Sequence, residues 1–303
     1  MTGNAAYIAA VVNSTIRSAT PIILASLGSL LCERSGVFNI ALEGQMLIAC
    51  FVSIAVNSAT HSWLLSILFG VLSGGLMAMV VAFLQVKFRA ADAVVGTSVN
   101  LLAGALTTLL LNMIYGVRGT LSDPKFVSIP KITLSAKSAS TFVGSVFDNL
   151  SIVDYGAYII AILVWVYLFK TVAGFRLRSI GINKEASISM GQKAVNRQMN
   201  AVIASGLLCG LAGCALSMGQ VRLFTENMTA GRGFIAMAAT SMGGGHPLWI
   251  LLSSLFFGAS QAIGVALQQK LPSQLTLAVP YLATVIVLCI TALRRDKRLD
   301  RRD

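Results

Sequence analysis

Charge is what this sequence has least of. Only 11% of its 303 residues are Asp, Glu, Lys or Arg, against 56% hydrophobic residues. A soluble domain carries about 25% charged residues, so a water-soluble fold is excluded. The P-loop pattern Gly-x-x-x-x-Gly-Lys-Ser/Thr is absent, as is a dinucleotide fingerprint, so this chain is not expected to hydrolyse ATP itself. No Ser-His-Asp or paired-carboxylate arrangement calls for intramembrane hydrolysis, so no catalytic residue is assigned and an enzyme is not expected. Cys32, Cys50, Cys209, Cys214 and Cys289 show no Cys-x-x-Cys spacing and read as small buried hydrophobes. His246, in a glycine turn without Cys, Asp or Glu nearby, reads as a loop residue, and no metal site is expected. No basic segment precedes the apolar stretch 5–12, because the first charge is Arg17. A signal peptide is therefore not expected, and the first helix reads as a span.

What the chain has instead is long charge-free runs, at 44–86, 93–117, 198–221, 233–269 and 271–293. A spanning helix needs about 20 apolar residues, so the first and fourth runs each have room for two. The runs do not alternate polar and apolar residues, which excludes a membrane barrel. The fold class is all-α: one polytopic membrane helix bundle over 1–303, with about 8–10 transmembrane helices, some broken or half-length. The expected spans are 14–32, 40–57, 63–85, 94–116, 152–170, 198–219, 248–268 and 275–293, with a short one near 232–243.

The net charge of +12 is concentrated beside these spans rather than spread for nucleic acid. Six basic residues fall in 170–197 and six more in the tail 294–303. That is the positive-inside pattern, with anionic headgroups of the lipid bilayer as a second partner for the charge. Loop 171–197 and the tail are thus placed inside and the polar segment 117–151 outside. Parity holds only if 232–243 crosses, which also puts the N-terminus outside. Twelve residues of helix cover about 18 Å of a core roughly 30 Å thick, so this segment is expected to be a half-helix supported by protein neighbours. Gly70-x-x-x-Gly74, Gly206-x-x-x-Gly210 and Ala215-x-x-x-Gly219 read as bundle packing rather than a dimer motif.

Two stretches are not explained by spanning alone. Glu33 to Gly44 sets two acids, an arginine and Asn39 between apolar runs, where an ionised group at mid-bilayer costs roughly 2.5–3.5 kcal/mol. Glu33 and Arg34 read as an interfacial pair of charges at the end of the first span. Asn39 and Glu43 share a helix face at four-residue spacing. With Asn100 of the fourth span they are the candidates for a translocation path, although pairing of Glu43 with another helix stays open. If the chain breaks at Ser35-Gly36, half-helix ends could offer N–H donors to a polar solute. Asn112, Gln220 and Asn227 are further polar residues in the spans or at their outer ends. Arg222, Glu226 and Arg232 read as a solvated outer turn, with docking of a binding protein as the alternative.

The second stretch lies in the inner loop, where Asn183 can cap a short helix, Glu185 sits in its first turn and Gly191 can end it. Its apolar Ile188 and Met190 suit a knob that enters a groove on another protein. Gly181, Asn183, Glu185, Ala186 and Gly191 resemble the coupling-loop signature of permease subunits in ABC importers of the ribose, nucleoside and branched-chain amino acid type. Ser187 and Gln192 depart from the pattern, which often has alanine and an apolar residue there. Glu33 to Phe51 resembles the nucleoside and simple-sugar branch, as do Gly231 to Ala239 and Gly243 to Leu248, and the resemblance covers about residues 14–293. It implies a multi-pass protein of the bacterial inner membrane that imports nucleosides by alternating access, with 171–197 as the cytoplasmic coupling loop. It also implies a heterodimer with a second, related permease chain, two ATP-binding subunits and an extracytoplasmic substrate-binding protein. No cofactor is expected in this chain, ATP being used by the partner subunit. The alternatives are the same importer class for a simple sugar such as ribose or galactose, an ion-coupled secondary transporter centred on Glu43, or a non-transporting scaffold or receptor.

Overall fold

The computed structural model describes residues 3–133 and 142–268. The last expected span at 275–293, Cys289 and the basic tail lie outside the described residues. In chain order the helices are α1 (Gly3–Arg34), α2 (Leu42–Thr60), α3 (Trp63–Ala82), α4 (Asp92–Tyr115), α5 (Phe142–Phe147), α6 (Ile152–Lys170), α7 (Val172–Ile182), α8 (Lys184–Ser189), α9 (Ala194–Cys214), α10 (Arg232–Met242) and α11 (Pro247–Leu267). Two of them run on as π-helical turns, α3 through Phe83–Lys87 and α9 through Ala215–Val221. Seven of the described helices are long and apolar enough to cross a membrane: α1, α2, α3, α4, α6, α9 and α11. All seven match expected spans. The eighth, 232–243, is the 11-residue half-helix α10.

Hydrogen bonds identify the two faces of the bundle. Asn13, near the start of α1, donates to the carbonyls of Val146 and Asp148. Asn57, near the end of α2, donates to Val127 at 2.8 Å. Both tie to the 117–151 loop, so the start of α1 shares its face, as parity requires. At the opposite face the end of α1 meets Gly181 of α7, and the Phe169 ring at the end of α6 lies 5.1 Å from His246 before α11. That face carries the basic 171–197 loop and is inner by the positive-inside rule. The outer face holds two short ribbons, in which β1 (Thr120–Leu121) and β2 (Lys131–Ile132) pair antiparallel with β4 (Phe224–Thr225) and β3 (Leu150–Ser151), respectively.

α1 is the spine. Ile22, Ile23, Leu24, Leu27 and Leu30 are wholly buried, as expected for a helix apolar on every side. Its Pro21 is tolerated because the carbonyl it frees, that of Arg17, accepts from the Gln220 amide. The glycine pairs interlock within the bundle: a Cβ added to Gly74 of α3 would lie 2.6 Å from the Gly206 carbonyl oxygen and 2.7 Å from Gly210 Cα of α9. Burial gives no preference between helix and lipid, so this close backbone approach is what holds α3 on α9. α6 opens on a capping box in which Ser151 and Asp154 satisfy each other's backbone N–H groups. The outward face of α3 exposes leucines, among them Leu68, Leu72 and Leu76, as lipid contact requires.

Candidate functional site

The charged segment is a complete helix stop followed by a new start. Gly36 N–H donates to the Glu33 carbonyl at 3.0 Å and Val37 N–H to the Cys32 carbonyl at 3.1 Å. With Gly36 at φ +79°, this is a Schellman termination, a conformation glycine adopts without a Cβ penalty. The turn is packed on both sides. Gln198 of α9 donates to the Ser35 carbonyl at 2.9 Å, and Gly181 of α7 abuts the Arg34 carbonyl so closely that a side chain there would collide. The Arg34 side chain grips the glycine turn after α10. Its Nε and Nη2 donate to the Gly245 carbonyl at 3.0 and 2.6 Å, and Nη2 also reaches Gly244 at 3.3 Å. Glu33 remains exposed.

Glu43, in the first turn of α2, occupies the N-terminus of α10. The Gly231 N–H donates to its Oε1 at 2.7 Å and the Gly233 N–H to its Oε2 at 2.6 Å. A carboxylate here satisfies orphan donors and complements the positive end of the helix dipole. The two glycines allow the approach, since a Cβ on Gly233 would stand 2.8 Å from Oε2. The exposed half-helix end expected near Ser35-Gly36 is therefore found on α10, and its donors are already occupied. Between β4 on the outer ribbon and α10 the chain makes consecutive tight turns, with Met228 N–H on the Thr225 carbonyl and Ala230 N–H on that of Asn227, both at 3.0 Å.

Asn39 and Asn100 join the same knot. Asn39 is buried; its Oδ1 accepts from Ala41 N–H at 3.0 Å, while its Nδ2 lies 3.4 Å from both Gln45 Oε1 and Ser205 Oγ. Asn100 donates to the Ile40 carbonyl at 3.0 Å and accepts from Gly44 N–H at 2.8 Å, stapling the start of α2 to α4. Of the three path candidates, Asn100 also lines an open space.

That space is a groove of about 810 Å³ along α4 and the chain before α10. Such a volume falls within the roughly 300–1,000 Å³ of small-molecule sites. Asn100, Gly104, Thr108 and Asn112 recur every fourth residue and so form one row on α4. Asn227 faces this row from the turns before α10, its Oδ1 standing 3.6 Å from the place of a Cβ on Gly104. Leu101, Leu109 and Met113 supply apolar walls, and Arg118 and Glu226 stand at the outer end. Asn112 and Asn227 were visible in the sequence as polar residues. The part of Gly104 and Thr108 was missed, although the four-residue spacing signals it. Gln220, by contrast, gives its amide to the Arg17 carbonyl at 2.6 Å, and Arg232 donates to the carbonyls of Met228 and Thr229 at the start of α10 rather than facing an outer partner.

At the inner face, α8 forms as the loop residues direct. Asn183 Oδ1 accepts from Ala186 N–H at 3.0 Å, and Glu185 lies in the first turn. Gly191, at φ +78°, closes a second Schellman stop: its N–H reaches the Ile188 carbonyl at 2.8 Å, and the Gln192 N–H reaches Ser187 at 3.0 Å. Ile182 is 87% exposed and Met190 82%, so a rigid turn presents apolar side chains outward. Gly181 acts on the other side, against the α1 stop. Arg178 of α7 stacks over the Phe169 ring at 4.6 Å, fixing this unit to the end of α6.

No solved structure matches the chain. Among curated proteins, it is 35% identical to the nucleoside ABC transporter permease protein NupC of Lactococcus lactis subsp. cremoris, over 89% of this chain and 88% of that protein. It is 33% identical to the guanosine ABC transporter permease protein NupQ of Bacillus subtilis, over 92% and 90%. A glucose ABC transporter permease protein of Haloferax volcanii, TsgB13, aligns at 25% identity over 90% and 74%. The family model described as branched-chain amino acid transport system, permease component, matches residues 11–288, and the chain belongs to that permease family.

Proposed function

We propose that this chain is the membrane permease of an ATP-driven importer of nucleosides. The observation that carries the reading is its end-to-end similarity, at 33–35% identity, to permeases named for nucleosides and guanosine. The geometry supports it. The α4 groove lies open on one side, and a polar row exposed to lipid is costly, so a second, related permease chain covers it and completes the path. The apolar knob of α8 takes a hydrophobic groove on a separate ATPase subunit, with Asn183, Glu185, Ala186 and Gly191 shaping it and Gly181 seating it on α1. ATP-driven closure of two such subunits moves the knob, and the bundle exchanges an outward-open path for an inward-open one. An extracytoplasmic binding protein delivers the solute to the outer ribbons. Asn39, Glu43 and Asn100 shape the path by holding its broken helices. ATP is needed only by the partner subunits.

The test is uptake of labelled guanosine, inosine, uridine, ribose and galactose by cells expressing this chain with its neighbouring transporter genes. Saturable nucleoside uptake that vanishes when the ATPase P-loop lysine is replaced is the expected result. Uptake of ribose or galactose alone would assign the sugar branch. Uptake that outlasts loss of the ATPase and collapses with the proton gradient would refute the importer.

A further inference from the structure

The groove separates polar groups that are already employed from polar groups that are not. Asn100 uses both ends of its amide on the α2 backbone, and Glu226 accepts from the Gly119 N–H at 3.0 Å. Thr108, Asn112 and Asn227 line the same space, and their side chains form no hydrogen bond among the described residues. Asn227 is also held in place. It sits at φ +54°, a left-handed conformation in which asparagine is enriched, and its side chain crosses to α4 where Gly104 leaves room for it.

These groups suit one kind of solute. Leu101, Leu109 and Met113 offer apolar wall to a flat face, the two amides offer donors and acceptors to an edge, and the hydroxyl serves as either. A nucleobase has apolar faces and an edge of mixed donors and acceptors that an asparagine amide can pair with in bidentate fashion. A free sugar presents hydroxyls all round and no flat face. The outer end carries one positive and one negative residue, Arg118 and Glu226, so the groove has no net charge to hold a phosphate.

We propose that Thr108, Asn112 and Asn227 read the base of a nucleoside as it passes, with Asn227 as the specificity-determining residue. This rests on the nucleoside-import reading above. The experiment uses the full transporter, binding protein included, in proteoliposomes, and measures initial ATP-driven uptake of guanosine, inosine and cytidine. Asn227→Gly and Asn227→Asp both accept the left-handed backbone, the first removing the amide and the second its donor, while Asn112→Leu removes the other amide. The binding protein is the same in every arm, so a changed ratio between substrates belongs to the permease. Loss of one such hydrogen bond is worth about tenfold. The expected result is about that loss for the best substrate in Asn227→Gly, and a reordering of guanosine against inosine and cytidine in Asn227→Asp. Co-purification of the ATPase confirms that each variant assembles. Wild-type ratios in all three variants would overturn the assignment and leave nucleoside import standing. Wild-type protein that carries no nucleoside would overturn both.

Discussion

Replacing Glu43 by glutamine tests whether the acid in the membrane zone is a helix clamp. In the wild type two backbone N–H groups, those of Gly231 and Gly233, reach the two carboxylate oxygens at 2.7 and 2.6 Å. A hydrogen bond to a charged group contributes about 1.5–3 kcal/mol. Glutamine keeps one acceptor and turns an NH2 group toward the other N–H, so one bond is lost outright. It also removes the charge that complements the α10 dipole, worth about 0.3–1 kcal/mol near a helix end. The sum is about 2–4 kcal/mol of local stability at the start of α10. Hydrogen exchange of the transporter in lipid nanodiscs reads this directly, because amides 231 and 233 open only when the clamp opens. Their exchange should accelerate by about 30- to 1,000-fold, while amides in the middle of α1 stay unchanged. Glu43→Asp, one methylene shorter, should fall between. Exchange at 231 and 233 within about threefold of wild type would refute the clamp, since that corresponds to well under 1 kcal/mol.

Three further outcomes are expected. Asn100→Leu leaves the Gly44 N–H and the Ile40 carbonyl unpaired and should cost about 1–3 kcal/mol, seen as a lower melting temperature in detergent; an unchanged value would remove the staple. Replacing Glu185 and Ala186 together by arginine should abolish co-purification of the ATPase while the chain still inserts and folds, and retained co-purification would count against α8 as the docking knob. On the outer face, burial and the neighbouring Arg17 and Arg222 pull the Lys131 ammonium below its usual range. The folded chain thus holds that proton less tightly than the unfolded one, so the penalty is full at neutral pH and lifts as pH rises past the folded and then the unfolded value. Lys131→Met should therefore raise the melting temperature slightly at pH 7, less so at high salt, and the gain should shrink toward pH 11.

Much of this was readable in the residues because it is local. Charge-free runs longer than a bilayer requires leave few choices, and α2, α3, α4, α9 and α11 appear where those runs lie, while α1 and α6 appear at the expected spans 14–32 and 152–170. The α8 cap and stop were readable for the same reason, since Asn183 and Gly191 act on backbone within four residues of themselves. The shortness of α10 was readable too, from the 11 residues that separate Gly231 from Gly243. What holds α10 was not. Glu43 lies 188 residues from Gly231, and no periodicity connects a carboxylate in one helix to two glycines in another. The part played by Asn100 was hidden likewise, because an amide that pins a carbonyl looks the same in sequence as one that meets a solute. Thr108 and Asn112 repeat at the right interval, but only packing shows which row of α4 is left open.

Arg34 and Glu43 together explain why charges stand in this part of the membrane. Arg34 holds the carbonyls of Gly244 and Gly245, just past the C-terminal end of α10, and Glu43 holds the N–H groups at its N-terminal end. Each sign of charge is thus placed where the helix dipole favours it, a cation by the carbonyl end and an anion by the amide end. A helix of 11 residues is about 16 Å long and cannot span the bilayer by itself, so with its C-terminal end at the inner face its N-terminal amides need a partner from the protein. One ten-residue stretch of chain, Arg34 to Glu43, supplies both partners. The consequence is mechanical: α10 is bound at both ends by residues that flank the turn between α1 and α2, and that turn is pressed on by Gly181 of α7 and stapled to α4 through Asn100, which also lines the groove. Uncharged residues at 34 and 43 could still fill the space, but α10 would lose the charged ties at its two ends and keep those of its middle, where Thr240 donates to the Ser26 carbonyl at 3.0 Å and Ser253 to the Ala239 carbonyl at 2.8 Å, and in lipid the remaining apolar contact sets neither its position nor its direction.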